Sequence, residues 1–133
     1  MSKSDAPGDE PFLFDDWVVQ EFTRSGGFTA LLVLMRIDAL SVVPLRSTYV
    51  HVIGDETRWA ELSGLLSSAR VAWNGVLIET VSSDGGGPVD DLAAREALRA
   101  LERRVIEDRM TLNEGHFFDA WGRRLKIEEV QPQ

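Results

Sequence analysis

A continuous apolar segment, TALLVLMRI at residues 29–37, most constrains the fold of this chain of 133 residues. The segment is too short to span a membrane, and its lack of alternation predicts a central strand that is covered on both faces. Arg36 and Asp38 interrupt the wider apolar stretch at residues 28–45, so we expect no transmembrane segment and no membrane partner. The chain length predicts one domain with one ordinary hydrophobic core.

Two later segments also have the composition of strands. Residues 47–54 and residues 71–81 are both rich in β-branched and aromatic side chains. Within the second segment, Asn74 and Gly75 form a dipeptide typical of a two-residue hairpin turn, whose central positions both require positive φ. We expect residues 71–81 to form a tight hairpin if that turn exists. A βαβ crossover through residues 56–69 is also possible, if residues 47–54 and 71–81 are parallel neighbours.

Two helices are predicted from apolar side chains that recur every three or four residues. The first covers about residues 56–69 and begins at Asp55, because aspartate is a favoured N-cap residue. The second covers about residues 88–108, with Asp90 and Asp91 at the positive end of its dipole. The apolar stripe of the second helix consists of Ala94, Ala97, Leu98, Leu101 and Val105.

The segment at residues 12–24 has a mixed pattern. Its apolar side chains lie at helical spacing, but Val18, Val19 and Thr23 are β-branched. A Gly-Gly pair at residues 26–27 also suits a hairpin that leads into the next segment. These features favour a strand, with a helix as the alternative.

Beyond the second helix, short apolar runs alternate with turn residues. Asp119 and Gly122 occupy the first and last positions of a DAWG sequence that suits a type I turn. The apolar runs predict three short strands, at residues 109–113, 116–119 and 123–130.

Together these patterns predict the α+β class, with a mostly antiparallel sheet of about six short strands and two helices packed on one face. The single domain is expected to cover residues 12–130. Residues 1–11 are polar and contain two prolines, so we expect a disordered tail there. Residues 131–133 are expected to be a frayed end.

The charge balance excludes several functions. The chain has 22 acidic and 14 basic side chains and a net charge of −8, whereas binding to nucleic acid needs a basic surface. Only residues 92–126 are mildly basic, with 8 basic and 6 acidic side chains. The chain has no cysteine, which excludes disulfides, thiolate zinc sites and a thiol nucleophile. The first residues lack the apolar core of a signal peptide, so we expect a cytoplasmic protein.

The two histidines of the chain do not stand in a recognisable catalytic pattern. His116 and Asp119 are three residues apart on a predicted strand, so their side chains point to opposite faces and do not share a metal ion. No serine lies in a G-x-S-x-G motif. We therefore expect no catalytic residues, no metal and no other cofactor. If a small molecule binds, its site is predicted between the sheet and the helices, at Tyr49, His51 and His116.

Two groups of side chains indicate a protein partner. Arg95, Arg99 and Arg103 recur every four residues and form a stripe along the second helix, although such a stripe is most often simply solvated. Trp73 and Trp121 lie at the two predicted turns, where a tryptophan either folds back onto its sheet or anchors an interface. The leading hypothesis is a non-catalytic interaction module that binds itself or another protein. The alternative is a small-molecule-binding protein or enzyme with the histidine site described above.

Overall fold

The computed structural model describes residues 11–38 and 41–125 of the chain. These residues form four strands and three α-helices, with a short 3-10 helix before the last strand. In chain order the elements are α1 (Phe14–Ser25), β1 (Phe28–Ile37), β2 (Val42–Val52), α2 (Trp59–Ser67), β3 (Gly75–Val81), α3 (Asp91–Glu107), the 3-10 helix (Arg109–Asn113) and β4 (His116–Asp119).

The strands form one sheet in the order β2-β1-β3-β4, and every neighbouring pair is antiparallel. The predicted α+β class is confirmed, but the described residues contain four strands and three helices rather than six and two. β2 and β3 are both antiparallel to β1, so they run parallel to each other with β1 between them. The connection from β2 to β3 through α2 therefore crosses over β1. It does not join neighbouring parallel strands, as the predicted βαβ crossover would.

β1 is buried on both faces over most of its length, and this determines where the helices pack. Leu32 and Leu34 point to the face that α1 and α2 cover, whereas Leu31 and Val33 point to the face that α3 covers. The prediction that both helices pack on one face is therefore wrong, because α2 and α3 lie on opposite faces. A strand that is apolar on both sides needs cover on both sides to remove its leucines from water.

The segment Phe14–Ser25 is helix α1 and not the strand that its sequence favoured. Phe14, Trp17 and Val18 are each at most 3 % exposed, because helical spacing places them together on the buried side. Burial of two aromatic side chains outweighs the small preference of the β-branched residues for extended structure.

Asn74 and Gly75 do not form the predicted hairpin turn. β3 begins at Gly75 and pairs with β1, and neither residue has positive φ. The Asn74 side chain instead fastens the end of β1: its Oδ1 accepts from the backbone nitrogen of Ile37 at 2.7 Å, and its Nδ2 donates to the Ile37 carbonyl at 2.9 Å. At Gly75 a Cβ would lie 2.7 Å from Cδ1 of Ile37, so space favours glycine there.

The region before β4 also differs from its prediction. Residues 109–113 form a 3-10 helix and not a strand, and the Asp108 side chain caps it by accepting from the backbone nitrogen of Met110 at 3.0 Å. The strand predicted at residues 116–119 is confirmed as β4.

The turn after β4 forms as predicted. The Gly122 nitrogen donates to the Asp119 carbonyl at 3.0 Å, and Gly122 has a φ of +79°. Residues 123–125 then run back beside β4, and the Leu125 nitrogen donates a hydrogen bond of 2.7 Å to the Phe117 carbonyl. The remainder of the strand predicted at residues 123–130, the tail at residues 1–10 and the frayed end at residues 131–133 lie outside the described residues.

Candidate functional site

The two outer strands of the sheet differ in how they are covered. Residues 123–125 hydrogen-bond to β4, whereas no strand in the described part of the chain pairs with the outer side of β2. Pro44 and a bulge beside it interrupt only the beginning of β2. Residues 46–52, with the sequence RSTYVHV, contain neither proline nor lysine. We call residues 46–52 the open edge, because their outer backbone donors and acceptors lack a neighbouring strand.

Two depressions border the open edge, one on each face of the sheet. The first has a volume of about 240 Å³, lies between β2 and α2, and is lined by Leu34 and Leu65 among others. The second has a volume of about 180 Å³, lies between β2 and α3, and is lined by Pro44 and Ile106 among others. Leu65 is 53 % exposed and Ile106 is 71 % exposed. The helices thus stop short of the edge and leave apolar side chains beside it.

One flank of α3 faces the same side of the molecule as the open edge. Glu102 accepts a hydrogen bond from the Ser47 hydroxyl, and both Glu102 and Ile106 line the second depression. Spacings of three and four residues place Arg95 and Arg99 on the same flank. In order along α3, the flank therefore carries the carboxylate of Asp91, the two arginines, the carboxylate of Glu102 and an exposed isoleucine.

The three arginines of the predicted stripe are all exposed, but they are not equivalent. Arg95 and Arg99 lie on the flank beside β2, whereas helical periodicity turns Arg103 away from the sheet. The neighbouring Arg104 instead binds the sheet, with its guanidinium 2.6 Å from Glu79 and 3.9 Å from Glu114.

His51, in the open edge, connects β1, β2 and α3. Its Nδ1 lies 2.9 Å from the hydroxyl oxygen of Thr29, and its Nε2 lies 3.2 Å from Oδ1 of Asp91. The Thr29 oxygen also accepts from the backbone nitrogen of Val89 at 3.1 Å. Thr29 is fully buried, so its hydroxyl hydrogen needs an acceptor, and His51 Nδ1 is the acceptor that the described residues supply. This assigns the ring hydrogen to Nε2, which donates to Asp91.

Asp91 also interacts with Tyr49. The hydrogen bonds of His51 and then of Tyr49 lower the pKa of Asp91 below its ordinary value. Burial, followed by the hydrogen bond to Asp91, raises the pKa of Tyr49. Thr29, His51 and Asp91 have the connectivity of a hydrolytic triad, but the fully buried hydroxyl of Thr29 is not accessible to a substrate. The network holds the first turn of α3 against β1 and β2.

The structure does not bring His116 to His51. His116 lies on β4, where its ring packs against Trp17 of α1 at 4.7 Å and its Nδ1 lies 3.3 Å from Arg124. Two strands separate β4 from β2, which corresponds to about 14 Å, and the two rings lie on opposite faces of the sheet. A ligand site made from Tyr49 and His51 stays a prediction, without His116 as a neighbour.

The two tryptophans predicted at turns differ in their surroundings. Trp73 lies in the loop before β3, is half-buried and packs edge-on against Trp59 at 6.2 Å. Trp121 lies in the turn after β4 and is 73 % exposed, with the Arg123 guanidinium 5.1 Å from its ring centre. The buried Asp119 carboxylate holds this turn by accepting from the backbone nitrogens of Trp121 and Arg123 at 2.8 and 2.9 Å.

A third depression, of about 310 Å³, lies where the turn after β4 meets the first turns of α1 and α2. Its lining is apolar and aromatic apart from one carboxylate, that of Asp15. We call it the aromatic depression; it is lined by Leu13, Phe14, Asp15, Trp59, Ala60, Trp121 and Gly122.

Sequence reasoning missed several residues at these surfaces. Leu65 lies within the helix predicted at residues 56–69, where its exposure was not expected, and Ile106 and Glu102 carried no signal of their own. One signal was available for β2, because a proline inside a strand marks it as an edge strand, and Pro44 lies in such a position.

Searches for other kinds of site give negative results within the described residues. No group of three histidine, aspartate or glutamate side chains there could hold a metal ion. Among the helices described, none has the length and apolarity needed to cross a membrane. Comparison of the chain with protein-family models, curated proteins and solved structures finds no match.

Proposed function

We propose that this protein is a non-catalytic interaction module that self-associates through the open edge. In the proposed dimer, β2 of one copy pairs antiparallel with β2 of a second copy about a twofold axis, and the two sheets become one. The observation that carries the proposal is the unpaired outer edge of β2 at residues 46–52. Folded proteins usually protect such an edge with charged side chains, proline or a bulge, and here the proline and the bulge lie at the start of the strand, with Arg46 as the one arginine or lysine in the open edge.

The position of α3 supports this arrangement. α3 contacts both β1 and β2. If its axis lies midway between these strands, it is about half a strand spacing, roughly 2.4 Å, inside β2. Pairing of the two β2 strands at about 4.8 Å would then bring the two copies of α3 to about 10 Å from each other. Packed helices lie about 8–10 Å apart, so the helices would meet as the strands pair.

The charges on the flank of α3 favour a second copy as the partner. A twofold axis makes the two copies of α3 antiparallel, so the Arg95 end of one flank would approach the Glu102 end of the other. With Arg95 opposite Glu102 of the second copy, the axis would lie near residues 98–99, so each Arg95 would meet a carboxylate and each Arg99 would lie beside its own copy. Such complementarity contributes mainly to orientation and specificity. In this proposal Arg95 and Arg99 belong to the interface, and Arg103 does not.

The apolar side chains beside the open edge would supply the stability of the dimer. Leu65 and Ile106 are more than half exposed in one copy and border the two depressions on either face. Residues 46–52 extend about 23 Å, and the three layers of helix, sheet and helix are each about 10 Å thick. A face of about 700 Å² per copy is close to the roughly 800 Å² of an ordinary specific interface.

Sedimentation velocity over a range of protein concentrations tests the proposal. We expect a reversible monomer–dimer equilibrium for the unaltered protein. Thr48 is exposed on the open edge, so Thr48→Lys should fold normally and weaken the dimer by about tenfold or more, because it places like charges across the twofold axis. Thr23→Lys, the same substitution at an exposed position on α1, should leave the equilibrium unchanged. A strict monomer at high concentration, or equal effects of the two substitutions, would contradict the proposal.

A further inference from the structure

The aromatic depression has the composition of a site for a positively charged organic group. Phe14, Trp59 and Trp121 line it together, and among the residues that the structure describes Asp15 is the only charged side chain in its lining. The face of an aromatic ring attracts cations, and tryptophan does so most strongly. A neutral apolar ligand would fit the rings but would leave the carboxylate without a charged partner, and an anion would be repelled by it.

The walls of the depression are fixed before anything binds. Trp59 Nε1 donates to the Ala120 carbonyl at 3.1 Å, and the Trp59 ring lies against Gly122, where a Cβ would approach its Cγ to 2.7 Å. The rings of Phe14 and Trp59 have centroids 5.4 Å apart and planes inclined at 59°. Phe14 is only 3 % exposed, so it supports the Trp59 ring from behind, and the rings of Trp59 and Trp121 are the ones that a bound cation would contact.

Trp121 forms the exposed wall, and its ring already contacts a cation within the protein. The Arg123 guanidinium lies 5.1 Å from the ring centre and is bound to Asp119 at 2.8 Å. Arg123 does not line the depression, so its charge does not occupy that space. The turn that carries Trp121 is held by two hydrogen bonds from backbone nitrogens to Asp119, which fix the position of the Trp121 backbone relative to the opposite wall.

The carboxylate of Asp15 is also held in place. Its Oδ1 accepts from the backbone nitrogen of Trp59 at 2.6 Å. Asp15 forms no ion pair with a lysine or arginine in the part of the chain that the structure describes, so its charge has no cationic partner there. The volume of about 310 Å³ lies at the small end of the range for ligand sites.

We propose that the aromatic depression binds a methylated ammonium group. The methyl groups would pack against the rings of Trp59 and Trp121 while the positive charge lies near Asp15. Such a group occurs in a free quaternary amine and in a methylated lysine side chain, and both present the same chemistry to the site. The proposal is independent of self-association, because the depression lies at the β4 side of the sheet and not at β2.

Nuclear magnetic resonance of the four tryptophan indole groups tests the proposal. Choline is the probe, and 3,3-dimethylbutan-1-ol, which has nearly the same shape without the charge, is its matched control. We expect choline to shift the indole signals of Trp59 and Trp121 saturably and to leave that of the buried Trp17 unchanged. We expect the alcohol to bind about tenfold or more weakly. Equal binding of choline and the alcohol would overturn the proposal.

Variants of the residues that line the aromatic depression test how much the carboxylate and the rings each contribute to the affinity for choline. Asp15→Asn keeps an oxygen that can accept from the Trp59 nitrogen but removes the charge, so we expect about fivefold weaker binding of choline by a folded protein. Asp16→Asn removes the same charge from the exposed neighbouring residue and should have little effect. Trp121→Ala should weaken binding by about tenfold, and Trp121→Phe by less. Unchanged affinity in both Asp15→Asn and Trp121→Ala would overturn the proposal.

A trimethyl-lysine peptide distinguishes the two sources of the group. If this peptide binds more tightly than choline and than the same peptide without methyl groups, the source is a protein segment. If the peptide and choline bind equally, the source is a free amine. If neither produces a saturable shift, the proposal is wrong.

Discussion

The carboxylate of Asp15, in the first turn of α1, accepts a hydrogen bond of 2.6 Å from the backbone nitrogen of Trp59, the first residue of α2. The N-cap position of α2 is Arg58, whose side chain does not cap the helix. The first helical nitrogens lack partners within their own helix, so a carboxylate from elsewhere can take the role of the cap. One contact thus caps α2 and fixes how α1 and α2 pack together.

We expect Asp15→Ala to lower the free energy of unfolding by about 1 kcal/mol, the usual contribution of a capping side chain. Urea denaturation followed by tryptophan fluorescence measures this change. Asp16→Ala is the matched control, since it removes an exposed carboxylate from the same turn of α1 without removing the cap. If the two variants lose equal stability, the loss reflects the dipole of α1 and not the capping of α2.

The cap of α2 also shows a limit of sequence reasoning. Asp55 was predicted to be the N-cap because it precedes the apolar stripe, but the helix begins at Trp59. The Asp55 carbonyl instead accepts from the Arg58 side chain at 2.6 Å. The residue that replaces Asp55 is 44 positions before Trp59 in the chain. Local patterns contain no information about a cap that only the folded chain brings into position.

We expect Gly122→Ala to be among the more destabilising single-methyl changes in this protein. Gly122 has a φ of +79°, and a Cβ there would lie 2.7 Å from Cγ of Trp59. The strained backbone costs about 1 kcal/mol and the overpacking about 1–3 kcal/mol more. Gly86→Ala is the control, because Gly86 has a φ of +92° but open space around it, so it should lose only about 1 kcal/mol. Urea denaturation measures the free energy of unfolding of both variants. If Gly122→Ala and Gly86→Ala lose equal stability, Trp59 moves aside without cost.

We expect the contribution of Asp91 to stability to disappear in acid. The hydrogen bonds of His51 and Tyr49 lower the pKa of Asp91 in the folded protein. A carboxylate with a lowered pKa stabilises the fold above its unfolded pKa of about 3.9 and loses that effect as the pH falls through the folded value. The melting temperature of Asp91→Asn should therefore lie below that of the unaltered protein at about pH 5, and the difference should shrink below about pH 4. A difference that stays constant down to about pH 2 would contradict this coupling.

The sequence predicted the elements whose signals are local and strong. β1 and α3 lie close to where they were expected, because an apolar run and a regular helical stripe both act within one element. The apolar run of β1 required cover on both faces, but which helix covers which face depends on contacts that are distant in the chain. The preference of Asn74 and Gly75 for a turn was overridden by pairing with β1, a contact distant in the chain.

The candidate surfaces were predicted only in part. The exposure of the arginines follows from helix periodicity, which is local, whereas the sequence left open whether Trp121 folds back onto its sheet or projects from the turn. The aromatic depression could not be predicted, because Leu13, Trp59 and Trp121 come from three distant segments. Pro44 is the one local signal for the open edge, since proline is tolerated in β2 only at an edge or a bulge, but it precedes the strand predicted at residues 47–54.

Disulfide formation by single cysteines along the open edge tests the central claim most directly, because the unaltered chain has no cysteine. In an antiparallel pair about a twofold axis, a residue meets its own copy only at the axis, and a disulfide needs Cα atoms within about 4.4–6.8 Å. Cysteine introduced in turn at residues 47–51 should therefore give one clear maximum in the rate of covalent dimer formation. Thr23→Cys, on the exposed side of α1, should crosslink slowly. Rates along the open edge that are uniformly as low as that of Thr23→Cys would contradict self-association through β2.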